Sequence, residues 1–326
     1  MDRVNELLER YFPFYVLSVI GLGLAFHRFG SAYAAWVVPI LAAQIFFMAL
    51  NVRLQTLINA FRQPKYLLVW AGLAWGVLPA VSFMLGRLFL ADTPEFVTGL
   101  VLTTAIPAAV TSSIWTGLSY GNLPLTLSII GAASLLSGVM TPLVLKTWVG
   151  ALVHLDTQDL FGGFLISVML PTLAGVLVHE GVGSHLQRYR PFLRLASKVL
   201  IAAVLFINAS IIQPQLLTWG WAAIKVVVLV VLQAVIAYSG AYLVGRRLPG
   251  ATYEDVIALT YAVGMRNNSA GIAIGVTFFG PVTAAPVILS VLMQQPLASL
   301  VHRYVFMRHK PERQQQRELE EAAISA

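Results

Sequence analysis

The sequence has no cysteine among its 326 residues. That excludes disulfides, thiolate metal sites and thiol nucleophiles, and it leaves the redox compartment open. Charge is scarce as well. Asp, Glu, Lys and Arg together make up 11% of the chain, against roughly 25% in a soluble globular protein. So few ions cannot cover a water-facing surface, which excludes a soluble enzyme, a disordered chain and a nucleic-acid-binding domain. No nucleotide-binding loop, metal-ligand cluster or catalytic triad is present in the sequence. No enzymatic chemistry, cofactor or metal is therefore expected. Long polar connections are also missing, which leaves no room for a soluble domain.

What fills the chain instead is apolar sequence: 58% of residues are hydrophobic, and the mean hydropathy is +0.79. Stretches long enough to cross a hydrocarbon core of about 30 Å as helix recur near 12–28, 32–51, 66–90, 95–120, 123–148, 158–179, 193–213, 216–245, 252–278 and 281–305. The expected fold is an all-α integral membrane protein of ten transmembrane helices. The first stretch does not look like a cleavable signal, because acidic Asp2, Glu6 and Glu9 precede it. Residues 308–326 form a polar tail.

The formal charge is +7, and its distribution matters more than its size. With a cytoplasmic N-terminus, 16 of the 21 Lys and Arg fall in or beside cytoplasmic loops and tails. Arg28, Arg87 and Lys146 fall on the other side, and Lys225 and Arg266 lie within segments. This positive-inside bias predicts a multi-pass protein of the inner (plasma) membrane with both termini cytoplasmic. It turns the basic surface toward anionic lipid, not nucleic acid. Tryptophans and tyrosines near segment ends read as interfacial belts. Gln44, Asn208, Gln233, Gln294 and Gln295 read as hydrogen-bonding glue between helices.

The two halves resemble each other. TTAIPAAVTSSIWTGLSYGNLPLTLSI (103–129) can be laid over AVGMRNNSAGIAIGVTFFGPVTAAPVI (262–288), with an offset of 159 residues that puts Gly121 on Gly280 and Pro107 on Arg266. Each stretch is an apolar helix broken by residues that disfavour helix. In the first the break is Pro107 and the small and hydroxyl residues through Thr111-Ser112-Ser113; in the second it is Gly264 to Ser269. Five helices per half is odd, so the halves (1–150 and 151–307) are expected in opposite orientations. Matched interrupted helices are the best pointer in a sequence to a transport site. The freed backbone groups must be buried in protein or line a wet cavity; freed N–H groups suit anions and freed carbonyls suit cations.

Arg266 lies near the middle of the ninth segment. A charge at that depth costs at least about 2.5–3.5 kcal/mol, so it needs a partner. Two placements satisfy it: a lock on backbone carbonyls freed at the first break, or a water-filled crevice in which the guanidinium meets an anionic substrate. The candidate substrate-binding residues are Arg266, Asn267 and Asn268, with Val110 and Thr111 at the first break. Met293, Gln294 and Gln295 join them from the last segment, where Gln294-Gln295-Pro296 is placed to break the tenth helix.

Three stretches, FFMALNVRLQTLINAFRQPKYLL, Pro107 with TSSIWTGLSYGN, and YAVGMRNNSAGIAIGVTFFGPVTAAPVILSV, resemble the bile acid:sodium symporter family, which is related to the arsenite efflux permeases. The resemblance implies two five-helix inverted repeats. These form a panel of the first, second, sixth and seventh helices and a core of the rest, with the fourth and ninth crossing at the site. It also implies alternating-access transport of organic anions. The family's first sodium site would fall on Ser112, Ser113, Thr126, Ile130 and Ala262, and its second on Ala74, Ala262, Val263, Met265 and Arg266. Sodium needs hard oxygen ligands, yet the shared acidic position is Ala262 and the glutamine positions are Ala74 and Arg266. A residual ion site could use only Ser112, Ser113, Thr126 and the main chain at Val263 and Met265.

The arsenite permeases rely on a cysteine in the fourth helix; here Ala108 follows Pro107, so thiolate capture of arsenite is excluded. The expectation is a secondary transporter of a small organic anion, coupled weakly or not at all to sodium, with a proton as another coupling ion. A symporter keeping one sodium, a membrane anion receptor and a channel are the alternatives. No protein partner is evident.

Overall fold

The computed structural model describes residues 11–50, 54, 55, 58, 64–152, 157–186, 189–216 and 219–307. The polar tail and the loop residues Asn51 and Arg53 lie outside them. Every regular element among the described residues is helical, and the single β-type contact among them is an isolated bridge, Ala108 with Arg266.

Helix α1 is Phe12–Ala25, α2 is His27–Ser31, α3 is Val37–Ala49 and α4 is Pro64–Phe89. The fourth segment is divided into α5 (Pro94–Ala105) and α6 (Ser112–Leu118), followed by α7 (Leu123–Val149). Then come α8, whose apolar part is Phe161–Val182, α9 (Arg190–Leu216) and α10 (Gly220–Arg247). The ninth segment is divided into α11 (Tyr253–Gly264) and α12 (Asn268–Ile274), and α13 is Pro281–Val301. Six helices among the described residues are long and apolar enough to cross a membrane: α4, α7, α8, α9, α10 and α13.

Prolines shape these helices without ending most of them. Pro79 and Pro171 each follow a π-helical turn (Gly72–Val77, Leu165–Met169). Such a turn absorbs the hydrogen bond that the missing N–H cannot make. The tenth segment was expected to break at Gln294-Gln295-Pro296, but α13 runs unbroken through Pro286 and Pro296. Each proline removes only one ladder bond, and α13 packs against α5 and α10, which hold it straight. Glu180 lies within the helix Leu170–Leu186 and accepts a hydrogen bond from the Leu54 N–H at 2.6 Å.

The contacts sort the helices into two groups. Helices α1, α2, α3 and α8 gather with α9, while α4, α5, α10, α11 and α13 pack together with α7. Small residues allow the closest approaches: a Cβ on Gly99 of α5 would sit 2.2 Å from the Thr283 carbonyl of α13.

At one end of the second group a polar clasp ties three helix starts together. Asn122 caps α7 by accepting from the Leu125 N–H and donates to Asp255 at 2.7 Å. Asp255 caps α11 through the Thr252 N–H and accepts from the Tyr66 hydroxyl at 2.5 Å. This clasp holds the entry to α7 beside the start of α11, so that α5–α6 and α11–α12 meet at their interruptions.

Candidate crossing site

The two breaks lie against one another. Pro107 has no N–H to donate to Thr103, so α5 stops at Ala105 and α6 restarts at Ser112. The second break is short, from Met265 to Asn267, and Asn267 caps α12 by accepting from the Ala270 N–H. The freed groups then pair across the gap in antiparallel fashion. The Ala109 N–H donates to the Met265 carbonyl at 3.0 Å, and the Asn267 N–H donates to the Pro107 carbonyl at 2.9 Å. In a continuous helix those donors would have served the carbonyls of Ala105 and Val263. Each interruption is thus satisfied largely by the other, which is what a low-dielectric interior requires.

The remaining carbonyls find side chains. Ala105 O accepts from the Trp75 indole and from the Thr141 hydroxyl, both at 2.9 Å. Ala262 O, whose helical donor would be the Arg266 N–H, accepts from the Trp70 indole at 2.9 Å. The Arg266 N–H donates instead to Gln294 Oε1 at 2.9 Å. Trp70 is fully buried and Trp75 nearly so, and they stack edge to face at 4.8 Å. Tryptophans in this chain had been expected in interfacial belts. These two contradict that, because a broken helix offers buried carbonyls that an indole N–H can reach and lipid cannot. Trp70→Phe removes the donor and strands a buried carbonyl. It should cost about 1–3 kcal/mol, read as lowered thermal stability of the purified protein.

Arg266 is 5% exposed. Its Nη1 donates to the Ile106 carbonyl at 3.5 Å, its guanidinium lies 5.8 Å from the Trp70 ring centroid, and its Nη2 has no partner. The guanidinium is thus fastened to a carbonyl freed at the first break, as the first of the two placements expects, and Arg266 also lines a cavity.

The predicted substrate residues divide between two cavities, each of about 40 Å³. One lies between the helix groups, where Val110 and Asn267 meet Ile45 and Ala49 of α3, Val168 and Thr172 of α8, and Ser134 of α7. The other lies within the second group and is lined by Arg266, Asn268, Met293 and Gln294, with Thr103, Thr104, Gln233 and Ser290. Gln295 lies apart from both; its Oε1 accepts from the Trp115 indole at 2.8 Å. Thr111 precedes α6 as its cap residue and lines neither cavity.

Of the candidate ion ligands, Ser112 and Ser113 donate within their own turn to the carbonyls of Ala109 and Val110, both at 2.7 Å. Thr126 donates to Thr116 Oγ1 at 3.1 Å. The Met265 carbonyl is engaged in the bridge, and Val263 lines the second cavity. Residues that sequence reasoning missed here are Trp70, Trp75 and Thr141. The signal that could have found Trp70 is its spacing of four residues before Ala74, a family ion-ligand position, on one helix face.

Interrupted helices that meet inside a bundle of apolar spans fit a multi-pass membrane transporter. The family model described as "Sodium Bile acid symporter family" matches residues 38–219, and the chain belongs to that family. Similar proteins include the "Uncharacterized protein YbaS" of Bacillus subtilis (strain 168), 32% identical over 294 residues, covering 88% of this chain and 94% of that one. The "Uncharacterized sodium-dependent transporter YocS" of the same organism is 24% identical over 289 residues, 87% of each. The "Probable sodium/metabolite cotransporter BASS1, chloroplastic" of Oryza sativa subsp. japonica is 26% identical over 310 residues, 92% of this chain and 73% of that one.

Proposed function

We propose that this protein is a secondary transporter of a small organic anion, bile acid-like or another carboxylate, that works by alternating access with sodium coupling weakened or lost. In this reading ten spans form two five-helix inverted repeats (1–150 and 151–307). The first helix group is the panel, the second is the core, and both termini face the cytoplasm across the plasma membrane.

The observation that carries the reading is the state of the Ala262 carbonyl. At the family's shared ion position the side chain is a methyl group, the carbonyl is occupied by the Trp70 indole, and the Arg266 guanidinium lies over the Trp70 ring. A fixed cation at the crossing supplies the positive field that a bound sodium would otherwise provide, and it repels any sodium approaching the same carbonyls. The anion would occupy the cavity between the groups, beside Asn267 and Val110. At about 40 Å³ this hollow admits little more than water, so the groups must part to admit an organic anion.

The test is uptake of a monocarboxylate into proteoliposomes with sodium replaced by potassium. Rates within about two-fold of each other are expected, since no ion of the proper hardness has a full ligand set. An absolute sodium requirement would move the assignment to the second reading, a symporter with one sodium near Ser112, Ser113 and Thr126. The specific observation behind that reading is that these three hydroxyl groups lie within two successive helices of the core and keep lone pairs free to coordinate. Proton coupling would appear in the same assay as uptake driven by an imposed pH gradient.

A further inference from the structure

Two aromatic rings meet at one end of the cavity between the helix groups. On α8 the cavity is lined by Val168, Thr172 and Val176, four residues apart on one helix face. Phe164 lies one turn further along that face, away from the Asp255 clasp, and is buried. On the facing wall Asn267 and Ala270 line the cavity, and the π-helical turn Gly275–Phe279 continues α12. That turn brings the Phe278 ring onto Phe164, with centroids 5.7 Å apart and planes 23° from parallel. The ring also fills the space beside Gly163, where a Cβ would lie 2.1 Å from its Cζ atom. Close by, α7 meets α8: a Cβ on Gly138, one turn beyond Ser134 of the lining, would sit 2.7 Å from the Met169 Cβ.

The rings come from different helix groups, since α8 belongs to the first and α12 packs on α13 of the second. Each ring also adjoins a π-helical turn: Leu165–Met169 follows Phe164, and Gly275–Phe279 contains Phe278. Such turns recur at functional sites.

The end of the cavity toward the clasp is built differently. The 159-residue offset makes α6 the counterpart of α12. Helix α12 reaches α3 and α9 of the first group, and its Ala270, Ile272 and Ile274 are buried. Helix α6 packs instead on α7 and α11. Val110, Ile114 and Leu118, again four residues apart, make a stripe that starts in the cavity lining and is 41%, 47% and 53% exposed. One half-helix is thus held against the first group while its counterpart carries an exposed apolar face.

We propose that the Phe164–Phe278 stack is the outer gate of this cavity: it blocks the path to the outer face, and its rings part to admit an anion from outside. The proposal rests on the transport reading and on the orientation given with it.

The absence of cysteine allows a test that needs no substrate. Ser134→Cys places a single thiol in the lining. A charged, membrane-impermeant maleimide is applied to the full chain in spheroplasts, which present the outer face, and in inverted vesicles, which present the cytoplasmic face. Conjugation is read by mass shift. Labelling is expected to be at least about ten-fold faster in inverted vesicles, because the gated state predominates. Adding Phe278→Ala removes one ring of the pair and should raise the rate from the outer face about ten-fold, leaving the cytoplasmic rate within about two-fold. Phe164→Ala should do the same, and it carries the test if Phe278→Ala fails to fold. Equal rates from both faces with Ser134→Cys alone would overturn the gate, as would an outer rate that neither alanine variant moves. The mirror-image pattern, in which the alanine variants expose the cytoplasmic face, would uphold the gate and reverse the orientation. Sided, ring-dependent labelling of a chain that fails the uptake assay would uphold the gate and overturn the transport reading, so the two failures are distinguishable.

Discussion

Arg266→Ala is expected to lower anion uptake in proteoliposomes by roughly 100-fold. The guanidinium acts on the neighbouring cavity through its field and not by contact; a unit charge acting over a few ångströms at an effective dielectric of about 20 is worth about 2–4 kcal/mol, and about 3 kcal/mol corresponds to that factor. The guanidinium is the one cationic group at the crossing of the breaks among the described residues, 5% exposed and held by the Ile106 carbonyl beside Trp70. The antiparallel bridge between Ala109 and Met265 and between Pro107 and Asn267 uses only backbone atoms, so it survives the substitution. The Arg266 N–H also keeps its bond to Gln294. The variant should therefore stay folded, as monodisperse elution and a thermal transition would record. Arg266→Lys keeps a charge but loses the planar head that lies over an indole and reaches a carbonyl at once. An intermediate loss, on the order of 10-fold, is expected. Normal uptake by folded Arg266→Ala would sink the electrostatic role and leave Arg266 as a lock.

Gly99→Val is expected to abolish accumulation of folded protein. A methyl group alone at this position would meet the Thr283 carbonyl at 2.2 Å and two ring carbons of Pro286 at 2.8 Å. The obstacle is main chain and a rigid ring, with no flexible side chain to turn aside. Helix association in a membrane depends on such close packing of small residues; α5 lies directly on α13, and the break that follows α5 is bridged to Met265 and Asn267. Separating α5 from α13 by the width of an isopropyl group would undo this contact and pull on the bridge that joins the two breaks. Expression with a fluorescent fusion, followed by size-exclusion chromatography, reads the outcome directly. A well-behaved, thermally stable Gly99→Val protein would mean that the two helices are not in backbone contact.

Much of the architecture could be read in the chain because its determinants are local. Runs of apolar residues mark helices, and Pro107 and the Gly264 to Ser269 stretch mark their interruptions. The two breaks that the 159-residue offset laid over one another lie together in the fold, joined at Ala108 and Arg266. Arg266 stood out because a charge in oil demands an explanation. The site was less legible. Val110 and Asn267 fell into one cavity, Arg266, Asn268, Met293 and Gln294 into another, and Gln295 joined Trp115 instead. Adjacent residues on a helix point about 100° apart, so neighbours in sequence can serve different hollows. Gln233, read as glue, donates to the Leu100 carbonyl as glue would, and it also lines the Arg266 cavity.

The sequence by itself determined that this is a membrane-embedded bundle of helices, where two of those helices break, and that a lone arginine is buried at one break. Hydrophobicity, proline and glycine act over a few residues, and their consequences follow wherever the segment is placed. Only the tertiary structure decided how the breaks are satisfied: by each other's backbone, by the indoles of Trp70 and Trp75, and by the amide of Gln294. Which donor reaches which carbonyl depends on how far each helix is rotated about its own axis and how closely glycines let it approach its neighbours. Those quantities are set by the packing of the whole bundle, and no short stretch of chain contains them.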